Sequence, residues 1–142
     1  MNFQRFSKNR KIKNATITEW NGIKFKSKFE AICAKTLANN GIDFEYELRT
    51  FVLFNGFKGM ENGKKTTYRD ITYTPDFMLN KHKIFLEIKG YPNDVYPYKK
   101  KMFIGKYIAN PGALYSDWQF YEVHSQRELN EFIKEIHETI LF

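Results

Sequence analysis

Cysteine is almost missing: Cys33 is the one thiol in the chain. A lone thiol forms no intrachain disulfide and supplies no zinc cluster. Beside Ile32 in a helical pattern, it reads as a small buried hydrophobe. Long apolar runs are missing too, and none approaches the length of a membrane span. The N-terminus lacks the apolar segment of a signal peptide. These absences lead us to expect a cytoplasmic protein with no membrane partner. His82, His124 and His137 are isolated, without the spacing of metal ligands or of a nucleophile and its base. There is no Gly-rich phosphate loop, so no nucleotide cofactor is expected, and no Gly-x-Ser-x-Gly. Acids are in deficit, with 16 Asp and Glu against 23 Lys and Arg. The net charge of +7 favours a polyanionic partner, nucleic acid before membrane, with plain solubility as the alternative.

What is present organises around Tyr73 to Gly90. Tyr-Thr-Pro-Asp-Phe-Met-Leu and Ile-Phe-Leu-Glu-Ile-Lys-Gly read as two short strands joined by a polar turn. In a strand, residues i and i+2 share a face. Ile84, Leu86 and Ile88 therefore make a core face, and Phe85, Glu87 and Lys89 make a face the core does not need. Pro75 cannot donate to a ladder, so Asp76 sits where the sheet is irregular and can meet Glu87 across the hairpin. Two adjacent carboxylates repel unless a positive group lies between them. A hard divalent ion such as magnesium takes oxygen ligands. With the Lys89 ammonium beside it, the set suits metal-assisted phosphodiester hydrolysis. The structural alternative is a capping Asp76 and a Glu87–Lys89 ion pair.

Length fits one domain, residues 15–142, preceded by a basic arm over residues 1–14. In that arm Arg5, Lys8, Arg10, Lys11 and Lys13 can contact phosphates or form a solvated tail. Asn21-Gly22 predicts a hairpin, anchored by Ile17 and Ile23. Ser27 and Glu30 form a capping box at the start of a helix whose stripe is Phe29, Ile32, Cys33 and Leu37, ending at Gly41. Glu30 thus has a structural explanation, and can alternatively point at the metal. A strand follows to about Phe54, with Glu45 and Glu47 on one face. Asn55 to Lys65 reads as a long loop and Thr66 to Tyr73 as a strand. Tyr-Pro-Asn-Asp after Gly90 is a turn. Tyr96 to Ile108 is a helix with Met102, Phe103 and Tyr107 inward. Its Lys99, Lys100, Lys101 and Lys106 either hold a phosphate backbone or form a solvated face. A last strand spans Trp118 to Val123. Ser125 and Glu128 then open a helix whose stripe is Leu129, Phe132, Ile133 and Ile136.

The order of these segments resembles the PD-(D/E)XK nuclease superfamily, with Pro75-Asp76 and Glu87-Ile88-Lys89 as its signature. Phe-x-Ser-x-x-Glu at Phe25 to Glu30, Gly-Ile-x-Phe-Glu-Tyr-Glu at Gly41 to Glu47, and Tyr-Thr-Pro-Asp-Phe-x-Leu at Tyr73 to Leu79 are similar to phage resolvases of branched DNA within it. The resemblance implies an α/β fold with a restriction-endonuclease-like core, a mixed central β-sheet flanked by helices. It implies that Asp76, Glu87 and the Ile88 carbonyl ligate Mg2+, or Mn2+ in its place, and that Lys89 positions the water. It assigns Glu30 to metal or water, and Glu45 to a second glutamate of the site. It implies a homodimeric endonuclease leaving a 5′-phosphate, of the Holliday junction resolvase kind, in the host cytoplasm if phage-encoded. The longer Arg49–Asp70 stretch departs from the pattern where resolvase subunits swap. A restriction-type endonuclease and a DNA-binding module that no longer cuts are the other readings.

Overall fold

A computed structural model of the chain describes residues 16–90 and 93–140. The expected basic arm with Arg5, Lys8, Arg10, Lys11 and Lys13, and the start of the turn after Gly90, lie outside them. The fold is mixed α/β. Its centre is a sheet in the order β10-β9-β8-β3, from Gln119–Val123, Ile84–Ile88, Phe77–Leu79 and Glu45–Tyr46. β9 runs parallel to β10 and antiparallel to β8, and β8 is antiparallel to β3. The parallel pair needs a crossover. The helix α2, Tyr96–Ile104, and a π-helical turn over Gly105–Ala109 provide it.

β9 is buried along its whole length, because both faces of the sheet are covered. On one face Ile84, Leu86 and Ile88 join Phe77, Leu79 and Val123. The helices α1, Lys28–Asn39, and α3, Gln126–Ile140, close over them with Cys33, Leu37, Leu129, Phe132, Ile133 and Ile136. The other face is a second core. There Phe85 and Met78 pack with Phe51, Tyr73, Tyr96 and Phe103. So Phe85 does not share an unneeded face: it is fully buried, ringed by Phe51, Phe103, Tyr115 and Trp118.

The Asn21-Gly22 hairpin forms as expected, joining β1, Thr18–Trp20, to β2, Ile23–Phe25. Both turn residues have positive φ, the geometry that suits this dipeptide. Of its expected anchors, Ile23 meets the core, as do Phe25 and Trp20, but Ile17 is corrected, being 73% exposed. On α1, Ile32 is exposed and the small Ala31 and Ala34 are buried, since a helix close to a sheet has room for small side chains there.

Three expected spans divide further. The strand reaching to Phe54 breaks at Glu47, whose φ is 47°, into β3 and β4, Phe51–Phe54. The expected loop from Asn55 to Lys65 is largely a hairpin. β5, Phe57–Glu61, pairs with β6, Lys64–Tyr68, across Asn62-Gly63. The second Asn-Gly turn thus does what the first does. The strand from Thr66 to Tyr73 divides at residues 69–70 into β6 and β7, Ile71–Tyr73, and β7 pairs with β4. On α2, Phe103 is buried as expected, but Met102 is exposed.

Candidate active site

Asp76 lies at the end of the central sheet, one residue before β8. Extending the registers on either side sets it opposite Glu47 and Glu87. Its backbone confirms the position: Glu47 N–H donates to the Asp76 carbonyl at 2.9 Å, and Asp76 N–H donates to Glu87 Oε2 at 3.4 Å. The Asp76 carboxylate accepts the Ile88 N–H at 2.8 Å through Oδ2. Asp76, Glu87 and Glu30 are the buried charged residues among those described, at 2%, 5% and 5% exposure.

Glu30 enters from α1. Its N–H caps onto Ser27 Oγ at 3.1 Å, so the box motif holds. The carboxylate does more than cap. Its Oε2 accepts the Ser27 hydroxyl at 2.9 Å, and Oε1 accepts the Tyr46 hydroxyl at 3.2 Å. One side chain thus belongs to the cap and also reaches Tyr46 beside the Asp76 cluster. On the other side, Tyr73 from β7 donates its hydroxyl to Glu87 Oε2.

Oxygen atoms of Glu30, Glu47 and Asp76 lie within 4.8 Å of one another. Lys26 Nζ sits among them, 2.8 Å from Glu47, 3.3 Å from Asp76 and 3.9 Å from Glu30. Lys89 takes another place. Its Nζ stands 4.0 Å from the centroid of the Tyr96 ring, a cation–π contact. Tyr96 is itself fixed, donating to Glu122 Oε1, which also accepts from Lys100 Nζ at 3.1 Å.

The electrostatics follow from burial. Burial first, and the Asp76 charge second, push Glu30 up to about 7 and Glu87 up to about 8. Burial pulls the Lys26 ammonium down, but the carboxylates of Asp76, Glu47 and Glu30 outweigh it and raise it. Burial and then Glu87 push the Tyr73 hydroxyl up, so Tyr73 stays a donor. Four carboxylates, Glu30, Glu47, Asp76 and Glu87, face two ammonium groups, Lys26 and Lys89. When all four are ionised they exceed the ammonium groups by two charges, and that excess and the all-oxygen donor set fit a hard divalent cation. Glu30, Glu47 and Asp76 are the residues that could hold it, with Glu87 adjoining.

Of the sequence-derived set, the structure brings together Glu30, Asp76 and Glu87, with Lys89 near Glu87 but seated on the Tyr96 ring. Glu45 is not among them. It is exposed and lines a surface cavity with Asn80 and Lys81, because the left-handed turn at Glu47 ends the period-two alternation that paired the two. Glu47 takes its place. Sequence reasoning also missed Lys26, Tyr46 and Tyr73, although all three lie in or beside the segments that carried the motif. Lys99 and Lys101 stand on α2 with no ion pair among the described residues. Lys100 and Lys106 are engaged within the chain, Lys100 on Glu122 and the exposed Lys106 on the Val52 carbonyl.

Residues 9–123 match the family described as "Protein of unknown function (DUF1064)". The matched stretch contains every residue of the cluster, from Lys26 to Lys89, and stops short of α3. No curated protein and no solved structure matches the chain.

Proposed function

The chain belongs to the DUF1064 family, and we propose that it is a metal-dependent DNA endonuclease that hydrolyses phosphodiester bonds, selective for branched DNA and acting as a homodimer. The observation that carries this reading is the buried set of Glu30, Asp76 and Glu87 at the Pro75-Asp76 strand start, with Lys89 two residues past Glu87. Phosphate binding alone calls for cations, not for clustered buried acids. The PD-(D/E)XK-like order of the segments supports the same reading, as does the net charge of +7.

In this reading Glu30, Glu47 and Asp76 hold Mg2+, or Mn2+ in its place. A divalent ion there would supply Lewis acidity toward the phosphate and a nucleophilic water at neutral pH. Ser27, Tyr46 and the Ile88 N–H fix the carboxylate rotamers. Tyr73 holds Glu87 in place. Lys89, steadied by Tyr96, orients the water and meets charge on the phosphate. Lys26 is the internal counter-ion of the carboxylates. One site cuts one strand, so symmetric cutting of a junction takes two copies. The product carries a 5′-phosphate.

The test is cleavage of a labelled four-way junction, with linear duplex and single strand beside it, in Mg2+ and in Mn2+. Wild type should cut the junction preferentially, and Lys89→Ala should not. Cutting of linear duplex at defined sites would replace the resolvase reading with a restriction-type endonuclease. One observation favours a second reading, a DNA-binding module that does not cut: Lys26 already neutralises part of the cluster. DNA binding with no cleavage in either metal, and unchanged in Asp76→Asn, would establish it.

A further inference from the structure

The β5–β6 ribbon has no part in the site. Five residues per strand at ~3.4 Å each make it roughly 17 Å long. Its register sorts its side chains. Phe57 pairs with Tyr68, Gly59 with Thr66 and Glu61 with Lys64 on one face. Lys58 pairs with Thr67 and Met60 with Lys65 on the other. The first face is internally satisfied. The Phe57 and Tyr68 rings stack at 4.9 Å, Phe54 meets Phe57 edge-on, and Tyr68 donates its hydroxyl to Glu61.

The second face is different. It holds Lys58, Lys65, Thr67 and Met60, all exposed, Met60 at 71%, and no acid. Among the described residues, neither Lys58 nor Lys65 has an ion-pair partner. The base of the ribbon is closely packed. Gly56 N–H donates to Asp70 Oδ1 at 2.6 Å, and a Cβ on Gly56 would come within 2.5 Å of the Tyr68 carbonyl. The ribbon continues through residues 69–70 into β7, whose last residue, Tyr73, holds Glu87.

We propose that the Lys58/Lys65 face of this ribbon is a docking surface for duplex DNA. A two-stranded β-ribbon is of a size that the major groove admits. A cationic face without acids complements a phosphate backbone. The exposed Met60 between the lysines suits contact with base edges rather than with water. The proposal rests on the nuclease reading for its substrate class and deepens it: the ribbon holds a duplex arm while the Asp76 end of the sheet meets the scissile phosphate.

Binding without metal separates the two readings. Fluorescence anisotropy of a labelled 30-base-pair duplex in EDTA, across a fourfold range of salt, is compared for wild type and Lys58→Gln/Lys65→Gln. Each lost phosphate contact lowers the salt slope by about one. Wild type should therefore lose roughly tenfold more affinity than the double variant across that range. Lys35→Gln/Lys134→Gln, with the same charge removed from two helices, should keep the wild-type slope. Equal slopes in wild type and the ribbon variant would overturn the proposal, as would an equal loss in the control variant or no duplex binding by wild type. Ribbon-dependent binding without any metal-dependent cleavage would uphold the ribbon and remove the nuclease reading.

Discussion

The two faces of β9 differ in kind. Ile84, Leu86 and Ile88 face a mainly aliphatic core closed by α1 and α3, with Phe25, Phe77 and Phe132 among its members. Phe85, Glu87 and Lys89 face a core of aromatic rings from β4, β7 and α2. The mainly aliphatic core buries area, and its hydroxyls lie at its margin, where Tyr46 donates to Glu30 and Tyr121 to Glu135. The aromatic face includes Tyr73 and Tyr96, rings with an apolar body and a polar tip. Those tips meet Glu87 and Glu122. Through them a packed core becomes a charged site within two residues of one strand. The first core makes such a transition only at its margin, where Ser27 and Tyr46 give the buried Glu30 its donors.

The sharpest way to break this contrast is Asp76→Asn. On the nuclease reading, loss of this carboxylate should lower single-turnover cleavage about a thousandfold, several kcal/mol of transition-state stabilisation. Leu86→Ala, on the aliphatic face, should leave the rate per folded molecule unchanged. Next comes stability. Phe85→Ala should cost about 3–5 kcal/mol in urea titration and Leu86→Ala about 2–5 kcal/mol. If Phe85→Ala were nearly neutral, the aromatic layer would be no core at all.

A pH titration tests the charged end itself. Glu30 and Glu87 hold protons in the folded state up to about 7 and about 8, against an ordinary 4.5. The folded state binds more protons than the unfolded chain through that window, so stability falls as pH rises. Their contribution is full below about 4.5 and is lost through about 7 and about 8. Melting temperature in EDTA should fall between pH 5 and 8 by this route. Asp76→Asn, which removes one cause of both shifts, should flatten the fall.

Smaller effects refine the picture. Tyr96→Leu removes the ring under Lys89 and should slow cleavage about tenfold, whereas Tyr96→Phe keeps the cation–π face and should lose less. A larger loss in Tyr96→Phe would mean that the hydroxyl, not the ring, matters. Lys83→Ala, which breaks the exposed pair with Asp117, should leave the urea midpoint almost where it is.

The central hairpin, both Ser-x-x-Glu caps, the first Asn-Gly turn and the place of Asp76 and Glu87 were legible because each rests on local pattern. Glu47 was not, because its role depends on a left-handed backbone that a glutamate rarely adopts and that no period reveals. The second hairpin was hidden by composition: Gly, Lys and Asn read as loop, although Asn62-Gly63 carries the same turn signal as Asn21-Gly22. Lys26 was hidden for another reason. An exposed lysine beside a helix start is ordinary until three acids from three elements converge on it.

Cys33 gives the fold an internal clock. It is fully buried one turn along α1 from Glu30, and burial pushes its thiol up to about 12. Only the thiolate reacts with alkylating reagents. The native thiol is therefore both shielded and protonated, and modification waits for the aliphatic core to open. With one cysteine in the chain, the labelling rate times that opening without ambiguity. Run in EDTA and again in Mg2+, it would read how tightly a cation at the neighbouring carboxylates fastens the helix.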